Sequence, residues 1–257
     1  STRDLASAID RYQKYKFSKM IYEVGQEQEL HFKQIFKVLE LMDYEWAKDC
    51  IHVEHGLYLD KEGKKLATRK GKTFFMEDII EETKRLASRE IKKRFSKISK
   101  KELEKRSLKV AIAAIFYGDL KNNRKNNVVF DINRFVSFEG DTGPYMQYSY
   151  ARASSILKKA KYKKEKFEIL ELEPQEIELV KKLSEFPALT AKVYETLNPS
   201  LIANYSYQLA QIFNEFYHIC PVIKSEKTNF RLALVDSFRH VLKNSLNLLG
   251  IETLEEM

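Results

Sequence analysis

Cysteine, glycine and proline are all scarce in this chain. Two cysteines, Cys50 and Cys220, cannot build a disulfide framework in 257 residues, and so few thiols are typical of a reducing cytosol. Eight glycines and five prolines leave long uninterrupted stretches, which favours helices. Apolar runs such as residues 110–117 fall far short of the roughly 20 residues that span a bilayer. We therefore expect a cytoplasmic protein that does not enter a membrane.

Two common nucleotide-binding fingerprints are also missing. The chain contains no Gly-x-Gly-x-x-Gly turn, which removes the dinucleotide fingerprint. Gly71-Lys72-Thr73 could end a P-loop, but Leu66 occupies the place of the first glycine and no apolar strand leads into the segment. Any nucleotide site must therefore be built differently.

Positive charge is what the chain has in excess, with a formal net charge of +8. Such an imbalance favours a polyanionic partner without identifying it. Residues 63–73 hold five cations and two glycines, so a mobile backbone could bring several charges onto one phosphate group. The alternative for this basic loop is a solvated hairpin tip.

Strand and helix patterns alternate before the basic loop. Residues 19–24 and 50–53 have strand patterns, and apolar residues recur at helical spacing through residues 26–42. A strand, a helix and a second strand over this length predict a crossover between parallel strands. Ligands of open parallel sheets gather at the carboxyl ends of the strands, here near residues 25–31 and 54–56.

Helical patterns dominate the remainder of the chain. They cover residues 76–95, 99–117, 145–161, 174–186, 199–219 and 230–249, with a short strand pattern at 128–130. Gly140 and Gly143-Pro144 interrupt the chain, which predicts a domain boundary between residues 1–142 and 143–257. The expected fold is α/β plus all-α: half of a Rossmann-like parallel-sheet domain followed by an α-helical bundle.

Several motifs, in chain order, resemble the second half of the catalytic domain and the helical anticodon-binding domain of arginyl-tRNA synthetases. They are Val24-Gly25-Gln26-Glu27-Gln28, His52-Val53-Glu54-His55-Gly56, Leu66-Ala67-Thr68-Arg69-Lys70-Gly71 and Phe138-Glu139-Gly140-Asp141-Thr142-Gly143-Pro144-Tyr145. The resemblance implies an arginine–tRNA ligase that uses ATP, with Mg²⁺ accompanying the ATP. It further implies arginine and arginine-accepting tRNA as partners, and we expect a monomer.

The His-Ile-Gly-His-type motif of that family is absent, since none of the five histidines forms a His-x-Gly-His. The chain also opens at Ser1, which corresponds to mid-domain in the family. We therefore interpret it as a C-terminal portion of the enzyme and expect it to activate arginine poorly by itself. A non-catalytic RNA-binding module and a generic basic protein without tRNA preference remain alternatives.

The resemblance assigns substrate contacts in the first half. Asp4 and Gln28 match residues that receive the guanidinium of arginine, since a carboxylate and an amide oxygen both suit that planar donor. His31 matches a residue facing the nucleotide, with the backbone of Val53 to Gly56 around adenine. From the sequence pattern alone Asp4 is a helix-dipole partner and His31 a helix-surface residue.

Metal binding is not predicted. Cys50, His52 and His55 could suggest a metal, but no convincing fourth ligand follows, so we expect no structural metal.

Aromatic residues of the second half are the candidates for RNA binding. The resemblance places Tyr145, Tyr148 and Met257 around the anticodon, and Tyr217 and the neighbouring cation Arg152 are further candidates. Single-stranded RNA loops stack bases on aromatic faces while cations hold the backbone. Most aromatics of a helical bundle, however, belong to its core.

The basic loop departs from the Lys-Met-Ser-Lys-Ser pattern of class I synthetases. When Lys65 is aligned with the first lysine of that pattern, Leu66 to Arg69 occupy the remaining four places, so the second lysine is replaced. Arg69 or Lys70 could supply the missing charge.

We predict that neutralising Lys65, Arg69 and Lys70 together in the complete enzyme slows adenylate formation, measured by arginine-dependent ATP–pyrophosphate exchange. An unchanged exchange rate would remove the loop from catalysis.

Overall fold

The chain folds into two compact units. The computed structural model describes residues 2–59, 62–64, 75–95, 97–129, 137–168 and 171–257. One unit contains residues 1–66 and 123–130, and the other contains residues 67–122 and 131–257. Residues 123–130 therefore return to the first unit after a long excursion through the second.

The first unit is an α/β structure built around a crossover. Its elements are helix α1 (Thr2–Tyr15), strand β1 (Met20–Gly25), helix α2 (Glu29–Leu41), strand β2 (Cys50–His55), strand β3 (Tyr58–Leu59) and strand β4 (Val128–Val129). Strands β1 and β2 are parallel, with Met20 opposite Cys50 and Gly25 opposite His55. The predicted crossover is confirmed, and both strands end at the same edge.

An aromatic cluster anchors this unit. The rings of Tyr12 and Trp46 stack with centroids 4.8 Å apart, and Phe17 meets Trp46 edge-on at 5.5 Å. Ile35 and Leu39, on the apolar face of α2, are buried beside Cys50. Burial raises the pKa of Cys50 to about 11, so its thiol stays protonated and acts as a core residue.

A second parallel pair joins β3 to β4, with Tyr58 opposite Val128. The approach is close at Gly56, where a Cβ atom would lie 2.2 Å from the carbonyl oxygen of Asn126. The Gly56 amide donates to the carbonyl of Arg124 at 2.7 Å. Only glycine fits here, so the returning segment supports the carboxyl end of β2.

The described part of the second unit is helical. Its helices are α3 (Met76–Arg94), α4 (Lys100–Leu120), α5 (Gly143–Lys159), α6 (Pro174–Ser184), α7 (Phe186–Thr196), α8 (Ser200–Ile219) and α9 (Thr228–Leu248). The predicted bundle is confirmed, and the amide of Glu102 donates to Ser99 Oγ, which caps the start of α4. Helix α7 was not predicted; it starts with Phe186-Pro187, where the proline suits a first helical turn.

The bundle core is aromatic at its centre. The rings of Phe213 and Phe238 stack with centroids 3.7 Å apart, which joins α8 to α9. Helices α4 and α5 approach closely at Gly143, where a Cβ atom would lie 2.0 Å from the carbonyl oxygen of Ala113. None of the described helices has the length and apolarity of a membrane span.

A buried ion pair links α6 to α9. Arg231 Nε lies 2.6 Å from Glu176 Oε1, and both side chains are almost fully buried. Burial acts to raise the pKa of Glu176, but hydrogen bonds from the Glu173 amide and from Arg231 outweigh it. The net pKa lies below the ordinary 4.5.

We predict that Glu176→Ala lowers the free energy of unfolding by about 3–5 kcal/mol, because it leaves the Arg231 charge buried and unpaired. The depressed pKa means that the carboxylate stabilises the fold at neutral pH. This contribution is lost as the pH falls through the folded-state pKa. Urea unfolding at several pH values measures both effects. Glu178→Ala, an exposed change on the same helix, is the control and should change the stability by no more than about 0.5 kcal/mol.

Candidate functional site

An acid and a histidine meet at the start of the first unit. His31 Nε2, in the first turn of α2, lies 3.0 Å from Asp4 Oδ2 of α1. The hydrogen bond with His31 is the main cause that holds the pKa of Asp4 below its ordinary value. Both side chains are partly exposed, so the carboxylate is charged at neutral pH and open to solvent.

Gln28 lies one helical turn before His31, at the end of a 3₁₀ turn that joins β1 to α2. Gln28 is the N-cap residue of α2, and the helix begins at the next residue. The Gln28 side chain is exposed. The two residues expected at a guanidinium therefore occur at the same end of α2, beyond the carboxyl end of β1.

Aromatic contacts fix the direction of this turn. His31 packs edge-on against Phe32, and Phe32 stacks on His52 with ring centroids 4.8 Å apart. His52 Nε2 lies 3.0 Å from the carbonyl oxygen of Val24. His52 thus has a structural role between the two strands, which argues against a role as a metal ligand.

The carboxyl end of β2 is held by the returning segment. Val53 is buried, and Glu54 forms an ion pair with Lys125. That hydrogen bond is the main cause that lowers the pKa of Glu54. Asn127 Oδ1 accepts from the Leu57 amide at 2.8 Å. The backbone expected at adenine is therefore braced from outside the crossover. Lys65, Arg69 and Lys70 lie outside the described residues.

A basic groove of about 1160 Å³ opens in the second unit. Four residues that the sequence analysis proposed for RNA binding line it together: Tyr148, Arg152, Tyr217 and Met257. The lining also contains four more cations, Lys158, Lys159, Lys161 and Arg239, and two acids, Glu255 and Glu256. A concave surface that combines aromatic rings with cations suits a polyanion with flat bases.

Arg152 is the central residue of the basic groove. Its guanidinium carbon lies 4.9 Å from the Tyr148 ring centroid and 5.6 Å from that of Tyr217. The same guanidinium donates to Asn214 Oδ1 at 2.6 Å and to the Tyr148 hydroxyl at 3.2 Å. These bonds hold both rings in place along one wall.

The last residues of the chain complete the basic groove. The Gln147 amide donates to the Glu252 carbonyl at 2.7 Å, and the Tyr150 hydroxyl donates to Glu255 at 2.8 Å. Leu254 is buried beside α3 and α4 residues, and Met257 packs on the same cluster. The terminal methionine is therefore a fixed part of the groove.

Comparison with known families separates the two halves of the chain. Residues 1–132 match the model of the class I tRNA synthetase (R) catalytic domain, and residues 146–257 match that of the DALR anticodon binding domain. The chain belongs to the arginyl-tRNA synthetase family.

Individual relatives support this membership. The chain is 44% identical to an arginine–tRNA ligase of Clostridium acetobutylicum and 43% identical to one of Streptococcus pneumoniae. These matches include 100% of this chain but 46% and 45% of those proteins. The chain thus spans about half the length of the curated relatives it matches.

Solved structures give the same result. The arginyl-tRNA synthetase of Thermus thermophilus superposes with a TM-score of 0.83 at 28% identity, covering 94% of this chain and 42% of that one. The Plasmodium falciparum enzyme gives 0.85 at 25% identity, covering 99% of this chain and 44% of that one. The partial Rossmann-like domain and the helical anticodon domain are shared with these arginyl-tRNA synthetases.

Tyr145 occupies a different environment from the other RNA candidates. It is partly buried against the bundle core, where its hydroxyl accepts from Asn214 Nδ2 at 2.6 Å and its ring meets Tyr207 edge-on. It does not line the basic groove. Its hydrogen bond instead orients Asn214, whose side-chain oxygen accepts a hydrogen bond from Arg152.

Sequence reasoning missed two features of the candidate site. The pairing of Asp4 with His31 joins residues 27 positions apart, and no local pattern indicates it. Arg239 lines the basic groove from α9. The helical spacing of the α9 sequence does not distinguish it from other surface residues of that helix. Within the described ranges, no group of three or more His, Cys, Asp or Glu side chains is arranged to hold a metal.

We predict that His31→Ala raises the pKa of Asp4, because it removes the hydrogen bond that stabilises the charged form. Carboxyl-carbon NMR titration of Asp4 measures the shift directly. His240→Ala, which removes a helix-surface histidine of the second unit, is the matched control and should leave the titration unchanged. An Asp4 titration curve that is the same in His31→Ala and the wild type would refute the proposed pairing.

Proposed function

We propose that this chain is part of an arginine–tRNA ligase whose second unit grips the anticodon loop of arginine-accepting tRNA. The observation that carries the proposal is the shared lining of the basic groove, in which Tyr148, Arg152, Tyr217 and Met257 lie among cations. Family membership supplies the identity of the RNA, and the groove supplies the means of binding it.

The basic groove provides both base stacking and phosphate neutralisation, the two contributions to RNA binding. Rings such as Tyr148 and Tyr217 stack on splayed bases, and such stacking is worth about 1–3 kcal/mol per base. The lysines and arginines neutralise phosphates and make the affinity dependent on salt. Met257 adds an apolar contact at the groove, and Tyr145 contributes by holding Asn214 and hence Arg152.

The first unit provides the arginine contacts in this proposal. The Asp4 carboxylate, whose pKa the hydrogen bond with His31 lowers further, accepts from the substrate guanidinium, and the Gln28 amide oxygen accepts from the same planar group. His31 thereby has a positioning role beside its expected exposure to the nucleotide. The backbone of Val53 to Gly56 receives adenine, braced by the segment at Asn126.

The proposed reaction has two steps. A carboxylate oxygen of arginine attacks the α-phosphorus of ATP, and pyrophosphate leaves with its electron pair. A ribose hydroxyl at the tRNA acceptor end then attacks the arginyl carbonyl, and AMP leaves. Neither step needs a protein nucleophile, so orientation and phosphate electrostatics supply the catalysis. We assign the phosphate electrostatics to Lys65, Arg69 and Lys70.

ATP enters as a substrate, and Mg²⁺ enters with its phosphates. We further propose a monomer in the cytoplasm, with the functional division at residues 142 and 143. By contacts, α3 and α4 nevertheless group with the C-terminal helices.

We predict that Tyr148→Ala weakens the binding of arginine-accepting tRNA by about 5- to 150-fold, the range that corresponds to one lost stacking contact. Filter binding at a fixed, stated salt concentration gives the dissociation constants. Lys192→Ala, an exposed change outside the basic groove, is the control and should weaken binding much less. Equal affinities for Tyr148→Ala and the wild type would argue that the groove does not receive the anticodon.

A further inference from the structure

Helix α3 ends at the basic groove with an arginine that the sequence analysis did not select. Arg94 is the last residue of α3 and is exposed. Its guanidinium carbon lies 4.7 Å from the Phe138 ring centroid and 5.3 Å from the Tyr148 ring centroid. Phe95, the next residue, lines the groove itself. Arg94 therefore lies beside the ring that is the strongest candidate for stacking a base.

Arginines and aromatic rings alternate along this wall. In order of contact they are Phe138, Arg94, Tyr148, Arg152 and Tyr217. Each guanidinium is within 6 Å of two ring centroids, the distance at which a cation is attracted by a ring face. Both guanidinium groups therefore contact the Tyr148 ring. Tyr148, Arg152 and Tyr217 line the basic groove itself, whereas Arg94 and the buried Phe138 continue the series beyond its lining.

The two arginines differ in how their donors are used. Arg152 donates to Asn214 and to the Tyr148 hydroxyl, so its N–H groups are committed to the protein. Among the described residues, no carboxylate or carbonyl accepts a hydrogen bond from Arg94. Its guanidinium contacts two rings, and the Arg94 side chain is exposed to solvent.

Nearby acids are already paired and do not neutralise Arg94. Glu256 forms ion pairs with Lys158 at 3.2 Å and with Arg106 at 3.5 Å. Lys158 is the first cause that lowers the pKa of Glu256, followed by Arg106. Glu255 accepts from the Tyr150 hydroxyl. A guanidinium held flat by rings, with unused donors, suits the bidentate binding of a phosphate.

We propose that Arg94 binds RNA directly, clamping a phosphate of the nucleotide whose base stacks at Tyr148. This inference rests on the proposed function and extends it to a residue outside the anticodon-domain match. Arg94 lies within residues 1–132, the stretch that matches the catalytic-domain model, while residues 146–257 match the anticodon-domain model. The RNA site is therefore assembled from both stretches of sequence.

The experiment compares Arg94→Ala, Arg94→Lys and Arg89→Ala in this chain, using an anticodon stem–loop RNA of arginine-accepting tRNA at several salt concentrations. Arg89, on the same helix, is also exposed and contacts no aromatic ring among the described residues, so Arg89→Ala matches the loss of charge. Arg94→Ala should weaken binding roughly tenfold, as expected for one charge-assisted hydrogen-bonded contact. It should also reduce the slope of log affinity against log salt by about 0.7, the value for one phosphate of a single strand.

Arg94→Lys should keep the salt slope, because the charge remains, while losing affinity through the lost planar fork. Thermal unfolding checks that the variants fold, and the salt slope separates phosphate binding from a merely structural contact. If Arg94→Ala binds like Arg89→Ala while Tyr148→Ala is defective, the Arg94 assignment is overturned and the proposed function stands. If Tyr148→Ala and Arg152→Ala also bind like the wild type, the proposed function fails with it.

Discussion

The docking of the C-terminal tail against α5 is the interaction on which the basic groove depends. Gln147 is fully buried and holds the tail through the Glu252 carbonyl, and Tyr150 holds Glu255. Because these contacts fix the path of the tail, Met257 closes the groove beside α5 and α8. Glu256 is paired with Arg106 and Lys158, and Glu255 accepts from Tyr150, so the arginines and the remaining lysines of the groove set the sign of its field.

The two candidate sites, one in each unit, present groups of opposite charge. In the first, the Asp4 carboxylate, whose pKa is lowered by the hydrogen bond with His31, suits a cationic ligand. In the second, rings and guanidinium groups alternate along a groove that suits a polyanion. The net charge of +8 therefore does not describe both sites, because the proposed binding of RNA and the proposed binding of arginine need opposite local fields.

Most of the elements could be predicted because they rest on local rules, and helix α7 is the exception among the described helices. The crossover follows from the apolar spacing of α2 between two short strands, and α4 begins at the cap Ser99 as its side chain requires. Tyr148 and Met257 required a family resemblance, because an aromatic or a methionine in a bundle is ordinarily core. Arg94 and the partnership of Asp4 with His31 could not be predicted, since they arise where separate helices meet.

The central claim is that RNA binds along the wall from Tyr148 to Tyr217. Ultraviolet cross-linking of this chain to an anticodon stem–loop of arginine-accepting tRNA, followed by mass spectrometry of the joined peptides, tests it most directly. The account predicts that cross-links concentrate on peptides containing Tyr148, Tyr217 and Met257, and that unrelated RNA competes poorly. Cross-links spread over the first unit, with none on those three peptides, would contradict it.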